Sequence, residues 1–420
     1  MIGLTQNYIT PYALAMNAST TQIGFLSGFP AIAMVLTQLV SPILVEKINR
    51  KSMMLLAAFL HTLMWLPILL IPYVFHSYQV WWLIAFITVL VAFDAIGNAP
   101  WNSMMADIVP VGVRGRYFAS RSRINNLVAL ILSFVAGGIL QVLTKNVFIG
   151  FSIIFAGAMV SRFLSVYFLS QMVYPSVVVP KTKQASILKL ATTLGSTNIG
   201  KYILFNALIS LSVSFSAPFF SVYMLRNLKF SYLTYVIINA TSTLAMLIFM
   251  PFWGKRIDKA GSIKVMKAAA LFITILPMLW LFSSNVYYLC GVQVIGGFGW
   301  AGCNLALNLF LYDAAPAENR TRYLALSNAL IFGGAALGSL LGGIMAPILP
   351  AIMMNRLFTI FLISSIARIM VVIFFMPGIS EVRQVPNMSY REIYFGGLQF
   401  ASVKSFSSNI IHVFNKKWKK

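Results

Sequence analysis

Apolar runs of about 20 residues recur along the whole chain, each long enough to cross about 30 Å of hydrocarbon. They fall near 22–45, 52–75, 79–106, 117–143 and 147–171, and again near 201–223, 230–253, 264–283, 285–312, 323–349 and 354–377. A chain that is 59% hydrophobic and 9% charged, with mean hydropathy +0.84, has too much apolar surface for one soluble core, so the runs are read as membrane-spanning helices of an all-α polytopic protein. The opening segment, residues 1–14, pairs with the span beginning near Lys201 through Pro11 and Pro218. Pro218 has a full half-span before it and Pro11 only 10 residues, so about two turns of the first helix are expected to be missing and an upstream start is expected.

The chain also repeats itself. Asp107, Pro110, Arg114, Arg116, Tyr117 and Ala119 recur 206 positions later as Asp313, Pro316, Arg320, Arg322, Tyr323 and Ala325. The offset extends to Asn98 and Asn304, Asn102 and Asn308, Gly137 and Gly343, Arg162 and Arg368. A repeat of this length divides the chain into two units. The expected organisation is a six-helix bundle over 1–172, a polar linker over 173–200 with Pro175, Pro180, Lys181 and Lys183, a second bundle over 201–378, and a basic tail over 379–420.

Thirty-one Lys and Arg stand against eight Asp and Glu, a net charge of +23. The basic residues gather at alternate span ends, as the positive-inside rule requires. Lys47, Arg50, Lys51, Arg114, Arg116, Arg121, Arg123, Lys255, Arg256, Lys259, Lys264, Arg320 and Arg322 share one side, while the other holds only Lys145, Arg226, Lys229 and Arg356. A cell-membrane protein with both termini cytoplasmic follows. The charges are split among short loops and form no single basic face, so nucleic acid is not an expected partner. Cys290 and Cys303 lie 13 residues apart on one span, about 20 Å along a helix, too far for a disulfide. No paired carboxylates, metal-ligand cluster or phosphate-binding loop is present, so neither an enzyme nor an ATP-driven pump is expected, and no cofactor.

Between the second and third spans of the second unit stand Gly254, Asp258, Lys259, Gly261 and Lys264; the first unit has Pro42, Glu46, Lys47, Asn49, Arg50 and Lys51 in their place. With the R-G-R turn at Arg114, Gly115 and Arg116 and the parallel six-span repeat, the chain resembles the major facilitator superfamily, whose loop reads G-x-x-x-D-R-x-G-R-K. The resemblance covers almost the whole chain. It implies two bundles that rock about a midplane site, a small-molecule solute and membrane lipid as partners, a monomer, and no catalysis. Gly or Asn in the loop is expected to allow a positive-φ turn, with the acid capping or pairing at a helix end. Glu46, Lys47, Arg50, Asp107, Arg114, Arg116, Gly254, Asp258, Lys259, Gly261, Asp313, Arg320 and Arg322 are the expected gating residues. A substrate is not specified by these motifs.

The resemblance also places the first, fourth, seventh and tenth spans around the cavity. On the fourth, Asp94, Asn98 and Asn102 fall on one helical face; on the tenth, Trp300, Asn304 and Asn308 do. Repeated residues are read as scaffold, so the asymmetric Asp94 and Trp300 stand out. Asp94 is the one carboxylate expected well inside a span, where an ionised acid costs several kcal/mol, which suits proton coupling; neutral packing or pairing with a nearby base is the plainer reading. Trp101, Asn206 and Ser210 complete the candidate lining. With Tyr8, Tyr12, Phe219, Phe220 and Tyr223 it suggests an amphipathic organic solute, no arginine being expected near the cavity centre. Arg162 and Arg368 could pair with an acid or hold an anion, but their repetition and their ability to snorkel assign them to the scaffold, and His61 is assigned to the core. Small-residue faces at Ala129, Ser133 and Gly137, and at Ala335, Ser339 and Gly343, are expected to pack helices closely.

The expected activity is secondary active transport by alternating access, coupled to protons through Asp94, with efflux of drugs or metabolites placed ahead of nutrient uptake or uniport. A non-transporting membrane receptor is the alternative of a different class. The tail either lies on anionic lipid or is loose.

Overall fold

Polar residues start the helices. Asn49, Thr197, Ser231, Asn285 and Asn355 each turn a side-chain oxygen onto a free backbone N–H of the turn that follows, the usual service of an N-cap. The computed structural model describes residues 1–47, 49–172, 192, 194–316, 319–386 and 388–395. After a short turn at Ile2–Thr5 come α1 (Ile9–Ala15), α2 (Thr20–Lys47), α3 (Arg50–Val74), α4 (Gln79–Ile108), α5 (Val111–Val142) and α6 (Val147–Ser170). The second half holds α7 (Asn198–Asn227), α8 (Tyr232–Ala260), α9 (Ser262–Leu279), α10 (Val286–Ala314), α11 (Arg320–Met345) and α12 (Arg356–Phe375), followed by a short α13 (Tyr390–Phe395). Eleven helices among the described residues are long and apolar enough to cross a membrane. The described residues form no strand beyond one isolated bridge between Ile352 and Asn355.

Large apolar side chains such as Leu127, Ile131, Leu164, Ile237, Leu271 and Ile366 are exposed, as expected where the surrounding solvent is lipid. Inside, one buried cluster joins both halves through Tyr8, Tyr12, Phe151, Phe155, Phe219, Trp280 and Phe361. A second belongs to the C-terminal half alone, around Tyr202, Trp253 and Phe310. The halves meet along α2 with α11 and α5 with α8. Glycines set the first seam: a Cβ on Gly343 would lie 2.9 Å from Gly24 Cα. The second has Gly137 against Val236 and Tyr232, with Tyr235 donating to the Asn7 carbonyl at 3.0 Å. These approaches use the first turns of α2 and α8 and the last turns of α5 and α11. The halves are therefore sealed at the end remote from the basic loops.

Proline breaks two of the helices that line the interior. α7 is interrupted at Ser216, just before Pro218. Pro277 lies inside α9 and frees the Ile273 carbonyl, because proline brings no N–H to bond it. Helix α12 repairs this kink: Ser365 donates to Thr274 O at 2.8 Å and accepts from Met278 N at 3.2 Å, and Arg368 donates to Ile273 O at 2.8 Å.

Candidate functional site

Among the described residues, two cavities between the helices bear on the site. The larger, about 580 Å³, lies between α3, α4, α5 and α6, and its lining includes Asp94, Asn98, Trp101, Arg121, Arg162 and Ser165. Arg162 donates Nη2 to Asp94 Oδ1 at 3.1 Å. Asn98, one turn along α4, donates to the other carboxylate oxygen at 3.4 Å. Arg121 lies over the Trp101 ring, 4.2 Å from its centroid, a cation–π contact. The carboxylate keeps 44% of its side-chain surface exposed and Arg162 22%, so the pair faces the cavity.

Asp94 thus pairs with a nearby base, as the plainer of its two readings has it. One expectation needs correcting, because arginine is not absent from the interior: Arg121 and Arg162 line this cavity and Arg368 lines the other. Depth along a helix misled the reading, since a long guanidinium side chain reaches inward from a peripheral helix. Asp94 and Arg162 are 68 residues apart, beyond any local pattern. The signal that could have joined them was one unmatched acid and one unmatched base inside spans of the same half.

The smaller cavity, about 280 Å³, is built by α7, α8, α9, α10 and α12 and includes Trp300, Arg368, Ser221, Asn239 and Gln293. Of the candidates, Asp94, Asn98 and Trp101 share the first cavity and Trp300 lies in the second, while Asn206, Ser210 and Asn304 line neither. Ser210 instead ties α7 to α11 through the Ile331 carbonyl at 2.9 Å. Asn304 reaches Met246 Sδ at 3.9 Å and accepts on its own carbonyl from Asn308 at 2.7 Å, within one helix. The side chain of Asn102 lies outside the described residues.

At the basic end, Gly261 takes φ +84°, the left-handed turn expected of it. Its counterpart Asn49 does not: φ is −55°, and its side chain caps α3 by accepting from Lys51 N. Where Gly261 provides no cap for α9, Glu381 reaches across to accept from Ile263 N at 2.8 Å. Arg383 pairs with Asp313, its Nε 2.7 Å from Oδ2 and its Nη2 donating to Oδ1 at 3.1 Å, and the hydrogen bond holds the Arg383 guanidinium above its ordinary pKa. Gly254 packs near Leu305. Asp258, Lys259, Arg116 and Arg320 are exposed, and Arg50 and Arg322 are half-buried. The side chains of Glu46, Lys47, Asp107 and Arg114 lie outside the described residues. So do residues 173–191 of the expected linker and the tail beyond 395.

An all-helical, internally repeated bundle with polar groups facing interior cavities defines a polytopic membrane protein of the carrier type. The sequence profile of the Major Facilitator Superfamily matches residues 2–201 and again 202–414, and the chain belongs to that family of transporters. Among curated proteins, none matches it by sequence. Its fold is similar to that of a mutant of the nucleoside transporter NupG, at 12% identity, TM-score 0.70, with 90% of this chain and 97% of the other aligned. A bacterial homologue of the iron transporter ferroportin in an inward-facing state aligns at 14% identity and TM-score 0.68, over 90% of this chain and 94% of the other. A D-xylose-proton symporter aligns at 13% identity and TM-score 0.67, over 91% and 96%. Identities this low speak for the fold alone.

Proposed function

We propose that the chain is a secondary active transporter of a small organic solute, working by alternating access between bundles 1–172 and 201–378, with Asp94 coupling movement to protons. The ion pair between Asp94 and Arg162 in the larger cavity carries this reading. A proton arriving on Asp94 removes the negative charge that holds Arg162. The freed guanidinium then has to find another partner, and a small change in protonation becomes a rearrangement between α4 and α6.

The positive-inside pattern puts the basic end, both termini and the linker in the cytoplasm of a cell membrane. With the halves sealed at the opposite end, the conformation is inward-facing, and the larger cavity is reached from the cytoplasmic side. Protein–lipid contact covers the apolar exterior, and the working unit is a monomer. Gating is assigned to the loop residues of both halves, and direction of transport to the outcome of the assay.

Liposomes holding purified protein and a pH-sensitive dye test the reading. Wild type is expected to acidify or alkalinise the lumen when a transported solute is added, and Asp94→Asn is expected to move no protons. Equal proton flux in both would move the coupling group elsewhere; solute flux without protons would make the protein a uniporter.

A further inference from the structure

Arg368 is 2% exposed, and no carboxylate pairs with it among the described residues. Its Nη1 bonds the Ile273 carbonyl and its Nη2 bonds Ser216 Oγ at 3.1 Å, while Nε is buried without a partner. A guanidinium has five N–H donors, so most of its capacity is unused. Stitching a kinked helix requires hydrogen bonds but no net charge. A charge buried inside a span without a counter-charge is costly and marks a functional site.

The repeat shows what is missing. Arg368 occupies the position of Arg162 and Trp300 the position of Asp94. In the first half the acid on α4 neutralises the arginine on α6. In the second half α10 offers an indole instead, and a cavity of about 280 Å³ separates the surrounding helices, lined by Arg368, Trp300 and the neutral Ser221, Asn239 and Gln293. We propose that this cavity is a binding site for a small organic carboxylate, whose negative charge replaces the acid that the second half lacks. Phe220 and Trp280, with ring centroids 4.8 Å apart, form an aromatic wall for the body of the acid. The volume equals that of about nine waters, which fits an aryl or branched-chain monocarboxylate and not a lipid. Bidentate acceptance from the free N–H groups of a guanidinium is the pairing its geometry favours. The site deepens the transporter reading by naming the class of solute, but carboxylate binding itself stands apart from transport.

The full-length protein in nanodiscs, titrated with benzoate and with benzamide and followed by thermal unfolding and tryptophan fluorescence, tests the site. Benzoate is expected to stabilise saturably and to bind at least tenfold more tightly than the neutral amide. Trp300→Asp, which restores a resident acid opposite Arg368, is expected to abolish the preference for benzoate, and Trp300→Leu to keep it. Arg368→Gln is expected to lose it too; if that variant does not fold, Trp300→Asp decides. No benzoate response in wild type, equal responses to acid and amide, or an acid preference that survives Trp300→Asp would each overturn the proposal. Benzoate binding without flux in liposomes would keep the site and sink the transporter reading; proton-coupled flux of neutral solutes with no acid preference would do the reverse.

Discussion

At the scale of single residues, Asp94 and Arg162 make one another tolerable. Neither is fully buried, so the cost of losing one partner lies between the exposed and buried limits, about 1–3 kcal/mol. Arg162→Ala leaves the carboxylate with the 3.4 Å bond from Asn98 and, among the described residues, no opposite charge in contact, and is expected to lower the melting temperature and to stop proton-driven flux. The double variant Asp94→Asn, Arg162→Gln replaces both charges with neutral groups of similar shape. It is expected to recover stability in thermal unfolding while still failing to move protons. Recovery of proton flux in the double variant would remove the pair from the coupling step.

Elements in this protein are held where their own hydrogen bonding fails. The Pro277 kink exposes backbone groups that Ser365 closes from α12, donating to one and accepting from the other. Ser365→Ala removes both of these bonds in a dry environment and is expected to cost about 1 kcal/mol, read as a lowered melting temperature. The α2–α11 seam depends on the opposite property, the absence of side chains: a Cβ on Gly24 runs into the backbone of Ser339 and Gly343. Gly24→Leu is expected to force α2 from α11, to abolish transport and to raise labelling of a cysteine placed at Ser339. Unchanged transport in that variant would mean the seam does not need this closeness. Both faces of small residues were legible as four-residue spacing. The kink repair was not, because Pro277 and Ser365 lie in separate helices and only packing brings them together.

For the whole molecule, sealing at one end and access at the other define a state. Ser165 lines the larger cavity, whereas Ser339 is buried in the seam. In right-side-out vesicles, Ser165→Cys is expected to react with a membrane-impermeant maleimide only when the cytoplasmic face is opened to it. Ser339→Cys is expected to stay unreactive from outside until a transported solute shifts the population outward. Prompt external labelling of Ser339→Cys in resting vesicles would contradict the inward-facing assignment.

Lipid-spanning length, the six-helix repeat, the family and the turn at Gly261 were all readable from the sequence, because each depends on local composition or on fixed spacing along one chain. Asp94 was also singled out there, as an acid where acids are costly. What only the tertiary structure decided was partnership: that Arg162 neutralises Asp94, that Arg368 finds no acid among the described residues, that Asn49 caps a helix where a turn was expected, and that Glu381 caps α9 from far along the chain. Such pairings depend on how separate helices rotate and approach in three dimensions, and spacing along one helix carries no record of what faces it from another.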